Sequence, residues 1–200
     1  GLRAERNGAL SHLQAAGTLD EHAQVTHYVP ELTGTAYADA TVRQVMDMII
    51  GVKYSEAYAD PKADIWAYAW AGGSRARPAG YSGPATFYDY LVTLKKEGEH
   101  GTGFTYKTVN TEVLGWIIKR VAGASLAELT SQLIWSKLGC EHDALFQVDS
   151  VGTESGGGGL STTLRDLARF GEAMRCDGAF NGQQIVPAAV VADIRRGGNP

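Results

Sequence analysis

The sequence has little of what marks a nucleic-acid-binding, membrane-spanning or disulfide-rich protein. Its 18 Lys and Arg against 22 Asp and Glu give a net charge of -4, with no basic cluster to attract nucleic acid or an anionic membrane. No apolar run approaches the roughly 18 residues that cross a bilayer. Cys140 and Cys176 are isolated, a usage typical of reduced thiols. We therefore expect a cytoplasmic protein that binds neither nucleic acid nor membrane.

Several motifs for metals, phosphates and nucleophiles are also missing. The five histidines show no metal-ligand spacing such as His-Glu-x-x-His, so we expect no metal. The four glycines from Gly156 to Gly159 are not followed by Gly-Lys-Ser/Thr, which disfavours a phosphate-binding loop. No Gly-x-Ser-x-Gly occurs, which disfavours a hydrolase with a nucleophile elbow. The sequence therefore predicts neither a metal nor a cofactor.

What the sequence does contain is one ordinary core and a series of helix signals. Its 200 residues with 44% hydrophobic content are enough for a single domain or part of one. Thr41-x-x-Gln44 and Ser125-x-x-Glu128 are capping boxes, which mark helix starts. We expect the helix that begins at Ser125 to end at Gly139, where a left-handed residue is tolerated.

Three further helices are predicted from apolar residues at helical spacing. One follows Tyr106 and closes at Gly123, and another follows Pro84. A third begins at a Thr163-x-x-Asp166 cap, runs through Arg175, and should turn three residues inward: Leu164, Leu167 and Phe170. Few alternating runs support strands, so a mainly helical chain is expected.

The stretch from Phe104 to Ile118 places a tyrosine just ahead of an apolar-faced helix. Tyr106 and Gly115 have the spacing of an aromatic-x-Tyr-Ser-Asn motif followed by Leu-Gly-x-Ile-Ile. Three other segments agree in order along the chain, beginning at Gly17, Thr41 and Gly158. On these residues the chain resembles the β-lactamase-related serine hydrolases, and the resemblance covers most of residues 9–196.

The resemblance implies an α/β fold of the β-lactamase/transpeptidase type. In that fold both ends of the complete chain build the sheet, while the middle forms a helical region beside it. Residues 1–200 correspond to the middle, so we expect one partial domain, mainly helical with an incomplete sheet. It would lack the N-terminal Ser-x-x-Lys segment and the C-terminal strands. Apolar surface meant for those strands would make the piece poorly soluble or marginally stable.

The resemblance also assigns catalytic roles. A serine hydroxyl is a weak nucleophile at neutral pH, and in this family the lysine of Ser-x-x-Lys accepts its proton. No serine in the sequence has a lysine three residues later. The family's spacing places the serine immediately before Gly1 and the lysine at Arg3, whose guanidinium is a poor general base. Tyr106 is the catalytic acid/base residue that the resemblance implies, although Thr108 replaces the motif's asparagine.

A second candidate region is the long aromatic loop from Tyr54 to Gly83. Long loops without periodicity are often lids or binding walls. The segment from Gly51 to Pro61 looks most like the 6-aminohexanoate-dimer hydrolases within the family, which implies that Tyr58 contacts the scissile amide. The alternative is that the aromatic residues of the loop only anchor it by packing.

Two functional hypotheses follow. In the first, the chain belongs to a serine hydrolase that acts on a small-molecule amide, with esters as side substrates, through an acyl-serine intermediate. A related esterase, β-lactamase or D-alanyl-D-alanine peptidase stays open, because kinship of fold does not fix the substrate. In the second, the chain is a catalytically inactive remnant or binding module, as the lack of Ser-x-x-Lys suggests.

Overall fold

The computed structural model describes residues 17–197, and this part of the chain is mainly helical. Its helices are α1 (Val25–Tyr28), α2 (Val42–Met46), α3 (Asp64–Ala71), α4 (Phe87–Leu91), α5 (Thr108–Ala122), α6 (Leu126–Leu133), α7 (Leu164–Arg175) and α8 (Ala188–Arg196). Short 3-10 turns follow α1 and α6, at Pro30–Leu32 and Trp135–Lys137. The position equivalent to the family's lysine, Arg3, lies outside the described residues.

Side-chain caps begin several of these helices where the sequence predicts them. Both capping boxes form, at the start of α2 and at the start of α6. The Thr163 hydroxyl accepts a hydrogen bond from the Asp166 amide and begins α7, which ends at Arg175 as predicted. The Thr86 hydroxyl caps α4 in the same way through the Asp89 amide. Each cap satisfies an amide that the first turn of a helix leaves without an internal partner.

The longest described helix, α5, forms the centre of the fold. It contacts α1, α2, α4 and α6, and every residue from position 108 to 118 is buried. Val113 and Ile117 are completely inaccessible to solvent. The helix ends where Gly123 adopts a left-handed backbone with φ of 63°, as the sequence predicts. Because α5 is surrounded on all sides, its first turn is held in a fixed position.

The sheet in the described residues is small. Strands β1 (Ala179–Phe180) and β2 (Gln183–Gln184) form one antiparallel hairpin, with Ala179 opposite Gln184. Isolated bridges, such as Val52 with Lys96, supply the remaining strand-like pairing. The expectation of a mainly helical chain with an incomplete sheet is confirmed.

Two clusters of buried apolar residues stabilise the described part of the chain. The larger one extends from Leu19 to Leu129 and surrounds α5. The smaller one joins the end of the α6 region to α7, α8 and the hairpin. Its buried members are Ile134, Leu138, Phe170, Ala173, Ile185, Val186 and Val191. Leu133 packs against both clusters and so connects them.

Three details of the sequence prediction are wrong. Helix α6 ends at Leu133, and a 3-10 turn separates it from Gly139. The aromatic loop contains helix α3. On α7, Phe170 is buried, but Leu164 is 84% exposed and Leu167 is 39% exposed. At 3.6 residues per turn, the buried Asp166, Phe170 and Ala173 share one face, which places Leu164 roughly opposite.

Within the described part of the chain, no helix is both long and apolar enough to cross a membrane. Neither Cys140 nor Cys176 forms a disulfide in the described part of the chain, and each is half-buried.

Candidate active site

Tyr106 lies in the extended segment immediately before α5. Its side chain is 46% exposed, and that of Phe104 is 54% exposed, so both rings face solvent at the start of the helix. The next residue, Lys107, is the N-cap residue of α5. Its ammonium donates a hydrogen bond to the Val52 carbonyl, and burial lowers the pKa of the amine. Lys107 is therefore engaged with the backbone, whereas the Tyr106 ring is open to a ligand.

Tyr58 is linked to the start of α5 through hydrogen bonds to Glu56. The Tyr58 hydroxyl donates a hydrogen bond to Glu56 Oε2 at 3.3 Å, and Glu56 Oε1 accepts one from the Thr108 amide in the first turn of α5. Partial burial raises the pKa of Tyr58, the Glu56 carboxylate raises it further, and the Tyr106 hydroxyl adds a smaller effect. The two tyrosines predicted from the sequence therefore lie near each other at the start of α5. The Tyr58 side chain is 63% exposed.

Behind this surface lies a buried carboxyl group that sequence reasoning missed. Glu112, on α5, is 2% exposed and accepts four hydrogen bonds. The hydroxyls of Tyr68 and Ser155 donate to Oε1 at 2.5 and 2.6 Å. The amides of Gly156 and Gly157 donate to Oε2 and Oε1, each at 2.9 Å. Glu112 therefore joins α5 to α3 and to the glycine segment.

The electrostatics of this carboxyl group reflect two opposing effects. Burial raises the pKa of Glu112, and the four hydrogen-bond donors oppose that shift. Burial also raises the pKa of Tyr68, and the neighbouring Glu112 adds to the effect. The available sequence signal was a glutamate inside the run Thr111-Glu-Val-Leu114, on a helix whose neighbouring residues are apolar.

The glycine segment approaches α5 too closely for side chains. A Cβ at Gly156 would lie 2.8 Å from the Thr111 carbonyl oxygen, and one at Gly157 would lie 2.6 Å from Thr108 Cγ2. Glycine at these positions is therefore required by packing against the helix. Thr108, which replaces the motif's asparagine, has its side chain buried in this contact.

Asn110, two residues after Thr108 on α5, is part of the core. It is completely inaccessible to solvent, its Oδ1 accepts a hydrogen bond from the Tyr37 hydroxyl at 2.8 Å, and its Nδ2 contacts the Met48 sulfur at 3.4 Å. The structure thus assigns Asn110 to the packing of α5.

Beside Tyr58 an open cleft of about 350 Å³ is formed by the aromatic region. Its lining residues are Tyr58, Ala59, Pro61, Trp66, Trp70 and Arg75. The Tyr58 and Trp66 rings meet edge to face with centroids 6.1 Å apart. Other aromatic residues of the region, including Tyr54 and Tyr68, are buried anchors. The aromatic residues therefore divide into a packing set and a set that borders the cleft.

The described residues contain no group of three or more His, Cys, Asp or Glu side chains that could hold a metal ion.

Comparison with known proteins identifies the family. The β-lactamase family model matches residues 8–197. The chain belongs to the β-lactamase family. This confirms the resemblance inferred from the motif around Tyr106.

Two relatives of this β-lactamase-family chain carry the name 6-aminohexanoate-dimer hydrolase. The 6-aminohexanoate-dimer hydrolase of Paenarthrobacter ureafaciens is 40% identical over 184 residues, which cover 92% of this chain and 46% of that protein. A solved structure of a candidate 6-aminohexanoate-dimer hydrolase from Bacillus anthracis is 33% identical, with a TM-score of 0.88, covering 97% of this chain and 51% of that one. The chain thus spans about half the length of these relatives.

A more distant structure supports the fold alone. The penicillin-binding protein from Bacillus halodurans has a TM-score of 0.69 at 14% identity, covering 96% of this chain and 62% of that one. The β-lactamase/transpeptidase-like fold is therefore confirmed. The catalytic role of Tyr106 and the substrate contact of Tyr58 remain predictions.

Proposed function

We propose that this chain is the helical part of a serine hydrolase that cleaves short linear amides, with esters as side substrates. The observation that carries the proposal is the placement of two exposed tyrosines, Tyr106 and Tyr58, around Glu56 at the start of α5. The cleft bordered by Tyr58 provides space for a small molecule, at a volume typical of ligand pockets. The names of the two relatives favour an amide over other acyl substrates.

In the complete enzyme, a serine from the Ser-x-x-Lys segment attacks the amide carbonyl while the lysine takes its proton. The carbon–nitrogen bond then breaks, and the amine leaves with a proton that Tyr106 delivers. Tyr58 contacts the scissile amide and holds it beside the nucleophile. Water attacks the resulting acyl-serine ester, which releases the carboxylic acid and restores the serine. The proton held by the lysine returns to the serine at that step, and the second proton of the attacking water restores the Tyr106 hydroxyl.

The buried groups below this surface support such chemistry by fixing its geometry. Glu112 ties α5, which carries the Tyr106 segment, to Ser155 and the two glycines. Glu56 ties the Tyr58 loop to the same helix. Reacting groups held within a few tenths of an ångström of their working positions need little reorganisation, which is a major source of rate enhancement.

The test begins with the DNA on both sides of this reading frame, translated in all frames. We expect Ser-x-x-Lys at the predicted spacing before Gly1 and a segment that encodes the family's C-terminal strands beyond Pro200. The protein carrying these segments is then assayed with 6-aminohexanoate dimer and with a short p-nitrophenyl ester. Replacement of the motif serine by alanine is the control and should abolish turnover of both.

Two results would contradict the proposal. One is a complete protein that carries Ser-x-x-Lys but cleaves neither the amide nor the ester. The other is flanking DNA without the motif, combined with binding of the amide but no turnover, which would favour the binding module.

A further inference from the structure

The cleft beside Tyr58 combines aromatic walls with a single cation. The Arg75 guanidinium lies over the Trp66 ring, 4.1 Å from its centroid, and Arg75 is exposed. No ion pair or side-chain hydrogen bond joins Arg75 to another residue in the part of the chain that the structure describes. A guanidinium that faces a cleft and has no carboxylate partner can bind an anion through several N–H groups.

The walls of the cleft are held in place independently of any ligand. The Trp66 indole N–H donates to the Asp60 carbonyl at 2.7 Å. The Arg77 guanidinium donates to the carbonyls of Trp70 and Ala85 at 3.0 and 2.8 Å. The Trp66 wall and the loop segment just beyond Arg75 are therefore each held by hydrogen bonds. A site held in place in this way loses little conformational entropy when a ligand binds.

The carboxylates near the cleft are hydrogen-bonded to groups other than Arg75. The nearby carboxylates of Asp60 and Asp64 accept hydrogen bonds from backbone amides, those of Lys62 and Ser55. Glu56 lies at the Tyr58 side, where it binds the tyrosine hydroxyl and the start of α5. Arg75 thus supplies positive charge at the Trp66 wall of the cleft, whereas the Glu56 carboxylate is hydrogen-bonded to the Tyr58 hydroxyl.

We propose that this cleft binds the free carboxylate of a linear aliphatic substrate, with Arg75 as the cation and Trp66 and Tyr58 along the alkyl chain. This inference rests on the proposed function, because it places the scissile amide at Tyr58 and the carboxylate-terminated half of the substrate in the cleft. Arg75 is then a specificity-determining residue that selects amides with an acidic end over neutral amides of the same length.

The first experiment measures binding without turnover. Hexanoate and the neutral hexanamide are titrated into the protein, and quenching of the tryptophans that border the cleft reports the dissociation constants. A charge-assisted hydrogen bond should favour hexanoate by about tenfold or more. Added salt should weaken hexanoate binding and leave hexanamide binding nearly unchanged. Equal affinity for the two probes, or no binding of hexanoate, would overturn the inference.

Variants identify the cation. Arg75→Gln should reduce hexanoate affinity about tenfold, to the level of hexanamide, and Arg75→Lys should retain part of the preference. The matched control is Arg165→Gln, which removes the same charge from an exposed ion pair with Glu141. Hexanoate binding by Arg75→Gln at wild-type strength would contradict the assignment. If Arg75→Gln does not fold, Arg75→Lys and the salt dependence of the wild type decide the question.

A kinetic comparison separates this inference from the proposed function. The complete enzyme is assayed with a linear amide that ends in a carboxylate and with the same compound ending in a primary amide. We expect a higher kcat/KM for the acid, mainly through KM, and loss of this preference in Arg75→Gln. Equal cleavage of both compounds refutes the inference alone. Cleavage of neither refutes the proposed hydrolase, and the hexanoate titration still decides the role of the cleft.

Discussion

At the scale of single residues, Glu112 has the most demanding environment of the candidate site. When a carboxyl group is buried, hydrogen bonds within the protein must replace its lost hydration. For Glu112, two hydroxyls and two backbone amides donate these hydrogen bonds. Because these donors come from two separate parts of the chain, one side chain fixes the relative positions of α5, α3 and the glycine segment. A buried polar group of this kind specifies one arrangement of its neighbours.

We expect Glu112→Gln to lower the free energy of unfolding by about 2 kcal/mol, because the amide nitrogen would face at least one buried N–H or hydroxyl donor. Urea denaturation of the purified protein measures the change. Glu99→Gln is the control, since the Glu99 side chain is 82% exposed and should change stability little. Equal stability of both variants and the wild type would show that the network is not needed.

Tyr106 offers a second test at this scale. In the complete enzyme, Tyr106→Phe should lower kcat by about a hundredfold or more, because proton transfer to the leaving amine is lost. Its fold should be unaffected, since the ring is half-exposed. Tyr28→Phe removes a hydroxyl that hydrogen-bonds Asp20 in a different element and should leave kcat unchanged. Wild-type kcat in Tyr106→Phe would show that the Tyr106 hydroxyl has no catalytic role.

At the scale of elements, α7 shows how a helix start is held by a buried acid. Asp166 is completely inaccessible, and its oxygens accept hydrogen bonds from the amides of Glu141 and His142, the Thr163 hydroxyl and the Arg169 guanidinium. The amide of Glu141, followed by the Thr163 hydroxyl and the remaining donors, lowers the pKa of Asp166 from 3.8 to about 2, although desolvation opposes the shift. The same carboxylate therefore holds the Thr163 side chain that caps α7 and anchors the backbone at Glu141 and His142.

The lowered pKa predicts how stability depends on pH. A carboxyl group with a depressed pKa in the folded state contributes stability that is present above its unfolded pKa. That contribution should be complete above about pH 4 and lost as the pH falls through about 2, the folded pKa of Asp166. Urea unfolding at several pH values should show a smaller effect of Asp166→Asn toward pH 2 than at pH 5. The exposed Asp143→Asn is the control, and a pH-independent effect of Asp166→Asn would refute the argument.

At the scale of the whole molecule, the two apolar clusters are distinct and Leu133 packs against both. Besides Leu133, a partly buried ion-pair network connects them: Arg43 on α2 reaches Asp193 on α8 at 3.0 Å and Asp47 at 2.9 Å. Regions with fewer buried apolar contacts open at lower free energy than the centre of a fold. The smaller cluster should therefore open more readily than the region around α5.

Native-state hydrogen exchange tests this division. We expect the amides of α7 and α8 to exchange faster than those of α5. Arg43→Gln should increase exchange in α8 by about five- to tenfold without changing α5, because a network worth about 1 kcal/mol is lost. The control is Arg120→Gln, which breaks the exposed pair with Glu31 and should leave α8 unchanged. Equal acceleration of α5 and α8 by Arg43→Gln would indicate a single cooperative unit.

The predicted helix starts and the predicted stop at Gly123 agree with the structure, whereas the stop predicted at Gly139 is wrong. The capping boxes at Thr41 and Ser125, the cap at Thr163 and the stop at Gly123 all occur where the sequence places them. A cap forms within one turn of chain, so it needs no tertiary partner. The inward direction predicted for Leu164 and Leu167 is wrong, because tertiary contacts bury the Asp166 and Phe170 face of α7.

The sequence by itself determined the family, the mainly helical architecture and the candidate tyrosines, because helix caps and the Tyr106 motif lie within short stretches of chain. The tertiary structure alone decided which side chains meet. It buried Glu112 among donors from distant segments, joined Tyr58 to the start of α5 through Glu56, and placed Arg75 over Trp66. The reason is physical: burial and charge pairing depend on contacts between residues far apart in sequence, which no local pattern contains.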